Sequence, residues 1–180
     1  MLQINQIVLL VIDVQGNLAQ KMHDKDRTYR HIVYLIQVAH ILNIPIIWTE
    51  QAPDKIGPTI PEIAQQIKEI KPIAKRTFSC MGNASVVQKL TALNRKQVVV
   101  CGIEAHVCVY LTVADLVAKG YETHVAVDAI SARTKLNIDI AVERMKREGA
   151  VPTTVDMLAC ELIRSADHPK FREIIGLMKE

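Results

Sequence analysis

A carboxylate, an ammonium and a thiol stand at the ends of three separate apolar runs. Asp13 follows Leu-Leu-Val-Ile (9–12), Lys75 follows Ile73-Ala74, and Cys108 lies just beyond Lys-Gln-Val-Val-Val-Cys-Gly (96–102). The spacing delivers Cys108 to the start of a helical pattern over 109–119, where free N–H groups and the helix dipole favour a thiolate. A sulfur so placed is a nucleophile, although an apolar neighbourhood equally suits a buried core cysteine. Asp13 interrupts an otherwise unbroken apolar segment, which is costly unless the carboxylate is paired or working. It reads either as a general acid–base group or as a cap for the following loop. Lys75 either lays its stem along the surface, or pairs with Asp13 and lowers the pKa of the nearby thiol.

Bringing three such residues together requires strands that end side by side. Apolar, β-rich runs predict strands over 7–12, 45–49, 73–75, 97–101, 122–127 and 150–153. Between and after them, helical spacing predicts helices over 27–42, within 58–70, and over 85–93, 109–119, 137–147, 155–163 and 168–178. This alternation predicts one α/β domain over residues 1–180, a doubly wound six-stranded parallel sheet with helices on both faces. Ligands of such sheets sit beyond the carboxyl ends of the strands. Candidates there are Asp13 and Gln15, Glu50 and Gln51, Lys75, Cys108 and Asp128. Glu50 and Gln51 read as pocket-lining residues or an exposed loop, and Phe78 as a pocket wall or core residue. His106 reads as a partner of the thiol or a bystander, and Asp128 as a loop cap. Cys101 and Cys160 read as core. The last helix is expected to dock on the core or on a partner subunit.

Composition removes other classes. Net charge is only +3 and the basic residues are dispersed among acidic ones, so no basic stripe points to nucleic acid. The four cysteines form no CxxC pair and no dense disulfide framework, and no Cys/His cluster suggests a metal. Free thiols and a first apolar run too short to span a bilayer make a cytoplasmic location, away from membranes, the expectation.

Four segments together resemble the isochorismatase-like cysteine hydrolases: Leu-Leu-Val-Ile-Asp-Val-Gln (9–15), Lys-Arg-Thr-Phe-Ser (75–79), Gly-Ile-Glu-Ala-His-Val-Cys-Val (102–109) and Val-Ala-Val-Asp-Ala (125–129). Thr-Glu-Gln-Ala-Pro (49–53), Gly57, Thr59 and Asp-His-Pro-Lys-Phe-Arg-Glu-Ile (167–174) are similar to the isochorismatase domain-containing group within it. The resemblance implies Cys108 as nucleophile, Asp13 as proton acceptor and donor, and Lys75 as the orienting charge. It also implies a cis peptide at Ile103–Glu104, with the backbone N–H groups of Glu104 and Cys108 as oxyanion donors. A homo-oligomer, a small-molecule substrate and no cofactor belong to the same expectation.

Two departures narrow it. Metal-dependent nicotinamidases of the superfamily carry Asp-x-His after the second strand, whereas Trp48-Thr-Glu-Gln-Ala-Pro-Asp-Lys (48–55) contains no histidine. True isochorismatases generally lack the cysteine that this chain keeps. The expected activity is hydrolysis of a small-molecule amide C–N bond through a thioester, using a Cys-Asp-Lys triad. The rival expectation is a binding or interaction protein that retains the pocket without useful turnover.

Overall fold

The computed structural model describes residues 1–178. Six strands, β1 (Ile7–Ile12), β2 (Ile46–Gln51), β3 (Ile73–Lys75), β4 (Gln97–Ile103), β5 (Glu122–Ser131) and β6 (Val151–Thr153), form one sheet in the order β3-β2-β1-β4-β5-β6. Every neighbouring pair is parallel. The strand order reverses between β1 and β4, which is where a doubly wound sheet opens a crevice for ligands.

The helices are α1 (Gly16–Gln20), α2 (Lys25–Ile41), α3 (Pro53–Ile56), α4 (Pro61–Ala64), α5 (Ala84–Leu93), α6 (Tyr110–Ala118), α7 (Lys135–Glu148), α8 (Val155–Ile163) and α9 (Phe171–Leu177). Alternate residues of β1 enter opposite layers, which is why its sequence is apolar throughout. Leu9 and Val11 pack with Ile32, Leu35 and Ile36 of α2 and with Ile174 of α9. Val8, Leu10 and Ile12 pack with Val86 of α5, Val113 of α6 and Met145 of α7. The final helix therefore docks on the core through Ile174.

Gly102 sets the spacing at the switch point. Its φ is +121°, and a Cβ there would lie 2.1 Å from the Ile12 carbonyl oxygen. Only glycine lets β4 approach β1 this closely, one residue before Asp13.

Several elements differ from the sequence expectation. The helix expected within 58–70 is confined to α4, and the four- and five-residue helices α3 and α1 are too short to carry a periodic signal. Strand β5 continues to Ser131 because its register on β4 shifts: Val100 pairs with Val125, but Gly102 pairs with Ile130. Asp128 lies in the slack, and both its carboxylate oxygens accept from Val155 N at 3.1 Å, capping α8. Cys160 is exposed rather than core. The buried positions of α8 are 155, 158, 159, 162 and 163, and at about 100° per residue position 160 points away from them.

Candidate active site

The register brings the three chemical residues to one end of the sheet. Ile12 of β1 pairs with Thr49 of β2 and Gly102 of β4, so Asp13 emerges between those strands. On the other side of β2, Gln51 pairs with Lys75 of β3. Beyond β4 the Ile103–Glu104 peptide is cis, as the resemblance implied. The chain then winds through one π-turn, Ala105–Val109, which carries Cys108.

Asp13 and Lys75 form a buried ion pair. Asp13 Oδ2 lies 2.6 Å from Lys75 Nζ, with side-chain exposures of 2% and 0%. The ammonium also donates to Gln51 Oε1 at 2.7 Å, Thr77 O at 3.1 Å and Phe78 O at 3.0 Å. These three acceptors match its three N–H bonds. Oδ2 thus touches the cation without a directed hydrogen bond and has no other protein donor among the described residues. Oδ1 accepts from the Thr49 hydroxyl at 2.8 Å. The carboxylate sits on backbone with φ +51°, uncommon for a residue with a side chain, and its amide donates to Thr49 O at 3.2 Å.

Cys108 is buried, 7% exposed. Its thiol is pushed up to about 12, first by burial and then by the Asp13 charge, while the Lys75 charge acts in the opposite direction. This reverses the expectation of a helix-stabilised thiolate. Cys108 lies inside the π-turn, whose Val107 and Val109 amides both return to Glu104 O, at 3.0 and 3.2 Å. The nearby amides are thereby engaged, and burial beside a carboxylate outweighs the ammonium. The resting group is a neutral thiol close enough to feel both the Asp13 and Lys75 charges.

The other candidates separate into three kinds. Gln51 belongs to the cluster, through its contact with Lys75. Gln15 and Glu50 hold the surrounding backbone. Gln15 donates to Gln51 O and Gly57 O and accepts from Gln51 N. Glu50 is buried within β2, not in an exposed loop, and accepts from the amide and hydroxyl of Thr59 at 2.7 and 2.8 Å. Phe78 is 56% exposed, so it is not core; its carbonyl serves Lys75 while its ring faces outward. His106 is half-buried, and its Nδ1 has no protein partner among the described residues.

Thr49 and Cys80 had no assigned role. Besides holding Asp13, the Thr49 hydroxyl lies 3.7 Å from the Cys80 sulfur, which is fully buried. In the sequence Thr49 only heads the family-like Thr-Glu-Gln-Ala-Pro segment; its contact follows from register, since it sits opposite the residue before Asp13. Composition reads it only as a good strand former. Cys101 is buried, as expected.

The six-stranded parallel sheet and its flanking helices agree with the comparisons to known proteins. The isochorismatase domain model matches residues 8–157. The chain belongs to the isochorismatase domain family. Isochorismatase domain-containing protein 2 of Rattus norvegicus is 35% identical over 178 residues, covering 96% of this chain and 81% of that protein. The MAR1 ribonuclease of Caenorhabditis elegans superposes with TM-score 0.93 at 34% identity, covering 99% of this chain and 92% of that one. YcaC of Pseudomonas aeruginosa, solved with hexane-2,5-diol and covalent acrylamide, gives 0.91 at 26% identity, with coverages of 98% and 90%. YcaC of Escherichia coli, an octameric hydrolase of unknown specificity, gives 0.87 at 25%, with coverages of 99% and 96%. Within the isochorismatase fold seen here, no helix among the described residues is long and apolar enough to cross a membrane.

Proposed function

We propose that this isochorismatase-family protein is a cysteine hydrolase that cleaves an amide C–N bond of a small molecule through a thioester. The observation that carries the reading is the buried Asp13 carboxylate, held by Lys75 and Thr49, whose charge acts on the buried Cys108 thiol. As Sγ bonds to the substrate carbonyl carbon, Oδ2 takes the thiol proton. The C–N bond then breaks and Asp13 returns that proton to the leaving amine. In the second half, water gives a proton to Asp13 and its oxygen attacks the thioester. Cys108 leaves as the thiol by recovering the proton. Lys75 balances the Asp13 charge throughout and keeps the carboxylate from rotating. The backbone N–H groups of Glu104 and Cys108 receive the oxyanion, since Val107 and Val109 already serve Glu104 O.

Acrylamide is an electrophile that thiols add to, so its covalent capture by the Pseudomonas aeruginosa relative supports a nucleophile in this family. The octameric Escherichia coli relative supports a homo-oligomer here. The test combines a panel of small amides with intact-mass spectra of the protein during turnover. An acyl adduct on Cys108, and turnover abolished in Cys108→Ala, are expected; full turnover by that variant would end the reading. Saturable binding of panel members without product would favour a binding protein instead.

A second reading, ribonuclease, is favoured by the name of the Caenorhabditis elegans relative. It requires RNA cleavage that depends on this site and binding that weakens steeply with salt.

A further inference from the structure

A cavity of about 470 Å³ opens between α2, α4, α8 and the end of α9 and shares no residue with the Asp13–Lys75–Cys108 cluster. Helix α2 lines it with one stripe that includes Asp26, Tyr29, Arg30, Val33 and Tyr34. Glu62 of α4, Asp156 of α8, Leu177 of α9 and Met178 complete the wall. The volume suits a small organic ligand.

Two features of the lining are unusual for a mere surface depression. Tyr29 and Tyr34 are 6% and 8% exposed, yet neither hydroxyl has a directed hydrogen-bond partner among the described residues. Tyr34 Oη comes within reach of the Asp156 carboxylate, while Tyr29 Oη has nothing. A buried hydroxyl without a partner is unfavourable, and most such groups in folded proteins have one. The second feature is charge. Glu62 and Asp156 make no ion pair among the described residues, and Asp26 meets only Lys25, at 4.0 Å. Against these three carboxylates the lining sets Arg30 and His31. His31 is already engaged, with Nδ1 2.8 Å from Arg27 O and Nε2 3.6 Å from Asp128. Glu62 and Asp26 add to burial in raising Tyr29, as Asp156 does for Tyr34.

We propose that this cavity binds a small organic ammonium with an apolar body, at a site separate from the Cys108 centre. The ammonium donates to Tyr29 Oη and to the Glu62 and Asp156 carboxylates. Its hydrocarbon portion covers Val33, Leu177 and Met178, and the tyrosine rings add cation–π attraction.

The test titrates the full chain with phenethylamine and with phenethyl alcohol, its uncharged counterpart, by saturation-transfer NMR. Phenethylamine is expected to saturate and to bind about tenfold tighter than the alcohol. Glu62→Gln with Asp156→Asn, both at exposed positions, is expected to weaken the amine by about tenfold or more without altering the circular dichroism spectrum. Tyr29→Phe is expected to weaken it several-fold, and Cys108→Ala to leave it unchanged. Equal affinity for amine and alcohol, no saturable binding, or indifference to the paired substitution overturns the proposal, as does loss of binding in a folded Cys108→Ala.

Discussion

Replacing Asp13 with Asn separates two effects that the site combines. The Asp13 charge raises the Cys108 thiol, while the Lys75 charge lowers it. Asp13→Asn removes the first charge but leaves the ammonium in place. Lys75 keeps Gln51 Oε1, Thr77 O and Phe78 O as partners, so the variant does not strand a bare buried cation. A single nearby charge shifts such a group by about 1–3 units. Well below the pKa, each unit multiplies the thiolate fraction by about 10, while the less basic sulfur loses nucleophilicity with a Brønsted coefficient of about 0.4–0.5. The net acceleration is about 3-fold for a one-unit fall and about 40-fold for three units. The assay is pseudo-first-order alkylation by iodoacetamide between pH 7 and 10, with peptide mass spectrometry reporting Cys108 alone. Alkylation should become faster while hydrolysis of any amide substrate disappears, because no base remains to move the proton. An unchanged or slower rate in a folded variant would show that Asp13 does not act on this sulfur.

Lys75→Met should have the opposite effect on the thiol, slowing alkylation, and should lower stability by about 3–5 kcal/mol in urea unfolding, because the Asp13 charge is left buried and unpaired. A loss below about 1 kcal/mol would place the pair in solvent, where ion pairs contribute that little. Thr49→Val removes the donor to Asp13 Oδ1 at nearly constant volume and should cost about 1.5–3 kcal/mol. Thr49→Ser should restore both stability and the alkylation profile, and failure of that rescue would assign the effect to packing. Stability should also fall at alkaline pH. Cys108 has a folded-state value of about 12 against an ordinary 9.0, so its contribution is complete below about pH 9 and lost as pH rises toward 12. Urea midpoints between pH 8 and 11 should decline less steeply in Cys108→Ala, with residual decline from Cys80, Cys101, Tyr29 and Tyr34, all raised by burial. Equal slopes would contradict a buried neutral thiol.

Local pattern was enough for the layered α/β domain, because a strand covered on both faces must be apolar throughout and the helices between strands carry a regular stripe. Ile7–Ile12 and Val155–Ile163 are the plainest cases, with observed ends that coincide with the expected ones. The same reasoning nominated Asp13, Lys75 and Cys108, since a polar group closing an apolar run is conspicuous in one dimension. Three facts depended on how distant strands align. The Ile12–Thr49 register placed a hydroxyl on the Asp13 carboxylate, and the carbonyls of Thr77 and Phe78 completed the lysine's shell. The state of the thiol also reversed, because a pKa sums burial and every nearby charge, and neither quantity exists along the chain until strands converge. Residue types and spacing determined which groups could react; three-dimensional packing decided which side chains hold the carboxylate and the ammonium and that the sulfur rests protonated.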